Sequence, residues 1–248
     1  MTLAASDDAF GRVLLAHLEG RSAVTMVERD DGFVESESPR FYFAGVRRWP
    51  AVERRALRYV RGRVLDVGTG AGRVALELQR RGRDVVGLDY SQLAARVARK
   101  RGVTNVRVGD LEALPSSLGR FDTVVMFGNN LGLLSNATKA KRILRALHAT
   151  TTDRGRIVGS NNDPYANNGA ARHRDYHRRN RTRGRLPGQV RLRLRYREST
   201  TPWVDWLFLS TRELEKLLEG TGWRLERVIR EPNDSQYTVV IEKEPPGG

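Results

Sequence analysis

Val64-Leu65-Asp66-Val67-Gly68-Thr69-Gly70-Ala71-Gly72 is the stretch on which the reading of this chain turns. An apolar run passes straight into three glycines at alternate positions, and Arg73-Val74-Ala75-Leu76-Glu77-Leu78 continues with helical spacing. The pattern predicts a buried strand, a tight turn and a helix N-terminus. Glycine belongs in such a turn because a Cβ would hold the backbone off a ligand, and because other residues reach the required angles only with strain. The spacing is G-x-G-x-G, and Arg73 stands where the dinucleotide fingerprint has its third glycine. Asp66 lies two residues before the first glycine, where a carboxylate would repel a pyrophosphate but suit an ammonium or sulfonium charge.

Asp84-Val85-Val86-Gly87-Leu88-Asp89 reads as a second strand, ending in an acid 21 residues after Gly68. An acid in that place commonly binds ribose hydroxyls. Two later segments complete the pattern: Gly109-Asp110-Leu111-Glu112, and Phe121-Asp122-Thr123-Val124-Val125-Met126-Phe127. With these four segments in order, the chain resembles class I S-adenosylmethionine (SAM)-dependent methyltransferases, through residues 60 to 160 and again over the last forty.

The resemblance implies a Rossmann-like α/β fold: a seven-stranded, mostly parallel sheet with helices on both faces and an antiparallel C-terminal edge. Around it are expected an N-terminal helical lid over residues 1–58 and a methyltransferase domain over 59–248. A β-hairpin insertion before the last helix, at about 163–209, would cap the substrate. The resemblance also implies cofactor contacts at Asp66, Gly68, Thr69, Gly70 and Gly72, at Asp89 and Tyr90, at Asp110 and Leu111, and at Phe127, Gly128 and Asn129. SAM would be the cofactor and S-adenosylhomocysteine the product.

Composition narrows the chemistry. With no cysteine among 248 residues, disulfides, thiolate metal sites and cysteine nucleophiles are excluded. His173 and His177 are four apart, but they sit among arginines that would repel a metal cation, so no metal is expected. The first residues hold no charged leader followed by an apolar core, and no apolar run approaches membrane-spanning length, so a soluble cytoplasmic protein is expected.

The formal charge of +15 raises nucleic acid as a partner. Its excess is local, because residues 172–197 hold eleven arginines against the single acid Asp175. Within them Val190-Arg191-Leu192-Arg193-Leu194-Arg195-Tyr196-Arg197 alternates strictly and predicts a strand with one apolar and one arginine face. Trp203 to Leu209 is expected to pair with it as a hairpin. The arginine face could hold an anionic small substrate, track a phosphate backbone, or be a solvated face that meets a partner subunit.

Elsewhere, Ser6-Asp7-Asp8 followed by Phe10, Val13, Leu14, His17 and Leu18 predicts a capped amphipathic helix, with His17 packed on its apolar stripe. Asp30-Asp31-Gly32 predicts a turn, and Tyr42 and Phe43 are candidates either for a lid over the substrate or for packing on the flank. Helices are predicted over Glu53–Tyr59, Arg73–Arg81, Gln92–Arg101 and Thr138–Ala149, with strands at 84–88, 105–109, 122–127 and 155–160. A capped helix from Ser210 and strands over Trp223–Ile229 and Tyr237–Ile241 close the fold, and Pro245-Pro246-Gly247-Gly248 is expected to fray.

Asn130, Asn161, Tyr165 and Trp203 join Tyr42 and Phe43 as candidate substrate contacts. Asp163-Pro164-Tyr165 resembles the Asp/Asn-Pro-Pro-Tyr motif of base amino-methyltransferases, but has one proline and follows the fifth strand instead of the fourth, which argues against base methylation. SAM carries an activated methyl group, so the protein needs only to align an acceptor and remove a proton where one is lost. Candidate bases are His173, His177, Asp163 and Asp205. The leading expectation is methyl transfer to a small-molecule acceptor by a monomer or homodimer. The alternatives are an RNA or DNA methyltransferase and a non-catalytic SAM-binding module.

Overall fold

The structure, a computed structural model, describes residues 7–166, 171–232 and 234–245. Ser6, the tail from Pro246 onward and the side chain of Arg172, all of which entered the sequence reading, lie outside what is described. In chain order the elements are α1 (Ala9–Leu18), β1 (Thr25–Arg29), β2 (Val34–Glu37), α2 (Ala51–Ala56), β3 (Val64–Val67), α3 (Arg73–Arg80), β4 (Val85–Asp89), α4 (Gln92–Lys100) and β5 (Val106–Val108). There follow β6 (Phe121–Met126), α5 (Ala137–Ala149), β7 (Thr151–Asn162), α6 (Ala171–Thr182), β8 (Gln189–Tyr196), β9 (Ser199–Thr200), β10 (Val204–Leu207), α7 (Thr211–Leu218), β11 (Trp223–Arg230) and β12 (Gln236–Lys243).

The principal sheet has seven strands in the order β11-β12-β7-β6-β3-β4-β5. It is the expected mostly parallel sheet with an antiparallel edge, since β12 runs antiparallel to both β7 and β11. A second, smaller sheet runs β10-β8-β1-β2, with β9 hydrogen-bonded to β8.

The chain divides into two compact units. The first comprises Met1–Trp49, Gly62–Pro115 and Arg191–Val204. Here β3 and β4 pair in parallel with Asp66 beside Gly87, and β4 pairs with β5 with Asp89 beside Val108, so the residues at these strand ends follow directly from register. The β3 and β4 strands are buried throughout, as expected for strands covered on both faces. Leu14 of α1, Ala71 of the glycine turn, and Ala94 and Val97 of α4 form one apolar cluster, with Phe10, Tyr42 and Phe43 packed against it.

Residues 22–50 hold more than the turn predicted at Asp30-Asp31-Gly32. They contain the β1–β2 hairpin, turning through Asp30–Phe33, and β1 pairs antiparallel with β8 from the insertion. Tyr196 of β8 packs on Ala9, Val13 and Ala16 of α1, so the apolar face of the alternating strand covers the N-terminal helix. The insertion strand thus has three pairing partners, β1, β9 and β10, where a simple hairpin was expected.

The second unit comprises Pro50–Arg61, Ser116–Val190 and Asp205–Gly248. Fully buried Phe121, Trp223 and Tyr237 anchor it. The Trp223 indole donates to the Leu144 carbonyl at 2.8 Å, and the Tyr237 hydroxyl to the Leu209 carbonyl at 2.7 Å, so neither ring carries an orphaned polar group inside. The capped C-terminal helix is α7, where Ser210 and Glu213 form a reciprocal capping box. Two local readings are corrected. Strand β7 starts four residues before the predicted 155, at Thr151, its pairing with β6 shifting register near Phe121. Helix α6 fills a stretch whose arginines give no apolar periodicity to read.

Candidate functional site

In the first unit the glycine turn folds as its sequence requires. Gly68, Gly70 and Gly72 have φ of 67°, 52° and 81°. A Cβ on Gly72 would come within 2.6 Å of Val103 Cγ2, so this position needs glycine for space as well as for angle. Asp66, almost wholly buried at the end of β3, accepts from the Thr69 hydroxyl at 2.7 Å. Asp89, at the end of β4, accepts from the Gly70 N–H at 2.8 Å and the Ser91 N–H at 2.9 Å, and so joins the glycine turn to the start of α4.

Both carboxyls are electrostatically loaded. Burial pushes Asp66 up to about 7, opposed by the Thr69 hydrogen bond and the Arg73 charge. Burial likewise pushes Asp89 up to about 6, opposed by the Ser91 and Gly70 N–H groups and reinforced by the neighbouring charge of Asp8. Two acids poised to ionise beside a glycine turn suit a ligand that brings positive charge or hydroxyl donors. Arg73, at the missing third glycine, lies with its guanidinium carbon 4.3 Å from the Phe41 ring centre and 4.7 Å from that of Trp49.

The N-terminal segment covers this turn. A Cβ on Gly70 would lie 3.6 Å from Phe10 and 3.8 Å from Tyr42, and those two rings meet edge to face at 5.1 Å. Tyr42 donates its hydroxyl to Glu37 at 3.3 Å, and burial raises its pKa above the usual range. Phe43 stacks on His17 and under Arg101, whose guanidinium reaches the Ala71 carbonyl at 2.5 Å and the Tyr42 carbonyl at 3.3 Å.

Asp8 caps α1 by accepting from the Gly11 N–H at 2.8 Å and also accepts from the Ser91 hydroxyl at 2.6 Å. Sequence reading took Ser6-Asp7-Asp8 as a cap of α1 alone and missed that Asp8 bonds to Ser91 across 83 residues. It placed Phe10 on the apolar stripe of α1 without seeing its place over the glycine turn, and it gave Arg101 no role. Tyr90 and Leu111 are half-buried, and Asp110 accepts from the Glu112 N–H at 2.9 Å at the start of a short helical turn.

On the small sheet, Glu28 of β1 faces Arg193 and Arg195 of β8. It accepts from Arg193 at 2.9 and 3.0 Å and from Arg195 at 3.2 Å, and these guanidinium groups hold its carboxyl below the usual range. Arg193 also lies over Trp203, 4.5 Å from the ring centre.

In the second unit Phe127, Gly128 and Asn129 follow β6. Gly128 and Asn129 are consecutive left-handed residues, with φ of 73° and 65°. The Gly128 N–H donates to Glu53 Oε1 at 2.6 Å, the Ser160 hydroxyl donates to the same oxygen at 2.8 Å, and the Asn129 N–H donates to Ser160 Oγ at 3.1 Å. Glu53 and Ser160 are fully buried, and nothing in the sequence marked either. Asn130 opens the short helical turn over residues 130–134.

Asn161 is fully buried, donating to the Leu207 carbonyl at 3.0 Å and accepting from the Asn162 N–H at 2.8 Å. Asp163 accepts from Arg230 at 3.1 Å and from the Tyr165 N–H at 3.0 Å, and Asp205 accepts from Asn136 at 3.5 Å. The Tyr165 hydroxyl donates to Glu213 at 2.6 Å, and its ring meets buried His177 at 6.1 Å; His173 is half-buried on the same helix. Among the described residues no acid and histidine group could hold a metal ion, and no helix is long and apolar enough to cross a membrane.

Comparison with known proteins agrees with this geometry. A family model described as a methyltransferase domain matches residues 64–155. A 2-heptyl-1-hydroxyquinolin-4(1H)-one methyltransferase of Mycobacteroides abscessus is 43% identical over 72 residues, 27% of this chain and 32% of that protein. A ubiquinone/menaquinone biosynthesis C-methyltransferase of Geotalea uraniireducens is 29% identical over 124 residues, 45% of this chain and 51% of that protein. The chain thus spans about a third to a half of the curated relatives it matches. A SAM-dependent methyltransferase of Bacteroides fragilis, solved with S-adenosylhomocysteine, superposes with a TM-score of 0.85 at 22% identity, over 99% of this chain and 98% of that one. The methyltransferase-domain model thus matches one central segment of the chain, and the fold as a whole is that of the Bacteroides fragilis SAM-dependent methyltransferase.

Proposed function

We propose that the protein binds SAM and transfers its methyl group to a small-molecule acceptor. The observation that carries the reading is the pair of buried carboxyls, Asp66 and Asp89, set on either side of the glycine turn and lifted to about 7 and 6. The residues fit the group. Asp89 still has lone pairs for ribose hydroxyls after accepting from Gly70 and Ser91, and Asp66 lies where the positive end of the ligand would favour its ionised form. Phe10 and Tyr42 over Gly70 would exclude water from the turn.

When bound, SAM supplies a methyl group already activated on a positively charged sulfur. The protein's residues then have to bind, orient and, for acceptors that lose one, take a proton. Asp110 and Leu111 are assigned to the adenine end and the glycine turn to the methionine end, with Phe127, Gly128 and Asn129 as further cofactor contacts. Asp163 and Asp205 accept from Arg230 and Asn136, and with the imidazoles of His173 and His177 they remain the candidates for proton removal. Residues from about 163 to 209 are read as the cap over the acceptor.

The small-molecule reading is supported by the two relatives, one a 2-heptyl-1-hydroxyquinolin-4(1H)-one methyltransferase and the other a C-methyltransferase of ubiquinone/menaquinone biosynthesis. It is also supported at the arginine strand, where Glu28 engages Arg193 and Arg195, the side chains a phosphate backbone would otherwise take. The test is calorimetric titration with SAM and S-adenosylhomocysteine, followed by a screen for S-adenosylhomocysteine formation with small-molecule and RNA fractions. Failure to bind either compound would end the proposal, and turnover with RNA alone would end its small-molecule half.

A further inference from the structure

The turn after β6 is held by a residue far away in sequence. Gly128 and Asn129 both lie in the left-handed region, which glycine adopts freely and asparagine more readily than other side chains. The surroundings hold this turn through one carboxyl oxygen. Glu53 Oε1 accepts from the Gly128 N–H at 2.6 Å and from the Ser160 hydroxyl at 2.8 Å, while Ser160 Oγ accepts from the Asn129 N–H at 3.1 Å. The N–H groups of both left-handed residues therefore end, directly or through one hydroxyl, on Glu53. The Asn129 side chain has its own contact, its carbonyl oxygen accepting from Gln236 at 3.4 Å.

Glu53 stands in the first turn of α2, where an acid also suits the helix N-terminus. Glu53 is fully buried, and a carboxyl taken wholly out of water is costly unless its bonds do something an apolar side chain could not. What these bonds do is fix the orientation of the backbone at residues 128 and 129.

We infer that Glu53 is a positioning residue, holding the Gly128–Asn129 turn in the shape that contacts the cofactor, with Ser160 as its relay. The inference rests on the reading of that turn as a SAM contact. Its action requires an acceptor oxygen at position 53, not a charge, so the amide should replace the acid and an isosteric thioether should not.

The experiment is titration of S-adenosylhomocysteine into wild-type, Glu53→Gln, Glu53→Met and Ser160→Ala proteins, with thermal unfolding measured on each sample. Glu53→Gln should bind within threefold of wild type. Glu53→Met should lose tenfold or more, and Ser160→Ala about threefold. A folded Glu53→Met variant with affinity within twofold of wild type would overturn the inference. So would parallel losses in Glu53→Met and Glu53→Gln, since rescue by the amide separates an acceptor role from simple packing. Should Glu53→Met fail to fold, unchanged affinity in Ser160→Ala would overturn it equally. No binding by the wild type would instead bring down the cofactor reading, and this inference with it.

Discussion

Replacing Asp89 by asparagine should change how stability depends on pH, by an amount the structure sets. Burial raises the Asp89 carboxyl from its ordinary 3.8 to about 6. A raised acid holds its proton more tightly folded than unfolded, so its contribution to stability is full below 3.8 and is lost as pH climbs through about 6. At about 1.4 kcal/mol per pH unit the loss is roughly 3 kcal/mol. The amide cannot ionise and loses nothing over this range. It also cannot accept from both Gly70 and Ser91, which costs about 1–3 kcal/mol at every pH and displaces the variant's curve without tilting it. The difference in unfolding free energy, variant minus wild type, should therefore rise by roughly 2.5 kcal/mol between pH 4 and pH 8, the rest of the change lying below pH 4. Urea denaturation followed by tryptophan fluorescence at four pH values measures it, and Asp66, present in both proteins, cancels apart from the upward push that the Asp89 charge gives it. SAM affinity should fall at the same time by about tenfold, as expected of a residue kept for binding at some expense to stability. Stability profiles that stay parallel within about 0.5 kcal/mol would refute the electrostatic reasoning, because both proteins would then be taking up the same protons.

Three further outcomes are expected. Ligand binding should release protons: at pH 6 the carboxyls of Asp66 and Asp89 are largely or partly protonated, and a cationic, hydroxyl-rich ligand favours their ionised forms. Titration calorimetry in buffers of different ionisation enthalpy should show about one proton released at pH 6 and close to none at pH 8.5, whereas equal values at both would contradict the assignment. Gly11→Ala should destabilise by about 1–3 kcal/mol, because its Cβ would sit 2.5 Å from Leu93 Cβ and Ser91 Oγ where α1 crosses α4; a melting temperature unchanged within about 1 °C would show that this contact is not tight. Glu28→Gln should increase retention of single-stranded RNA at low salt by unloading Arg193 and Arg195, while wild type is released at moderate salt. Salt-resistant RNA binding by the wild type would reopen the nucleic-acid alternative.

Much of the principal sheet was legible because its signals are local. A strand, a glycine turn and a helix follow one another within residues 64–80, and their spacing alone fixes which side chains end up at the strand tips. The pairing of β1 with β8 was not legible, since Glu28 and Arg193 are 165 residues apart and neither strand's alternation names its neighbour. Helix α6 was missed because a stretch dominated by arginine carries no apolar period, and the early start of β7 because Thr151-Thr152-Asp153-Arg154-Gly155 has the composition of a turn.

The sequence by itself determined the class of fold and the order of the four segments that carry the cofactor motifs, because glycine angles, apolar periodicity and caps act over a few residues. Only the tertiary structure decided what state those residues are in. Burial lifts Asp66 and Asp89, Asp8 joins Ser91 beside them, Phe10 and Tyr42 cover Gly70, and Glu53 holds the turn after β6. Each of these depends on groups brought within about 3 to 4 Å by packing, and desolvation and hydrogen bonding at that range leave no trace in the spacing of a sequence.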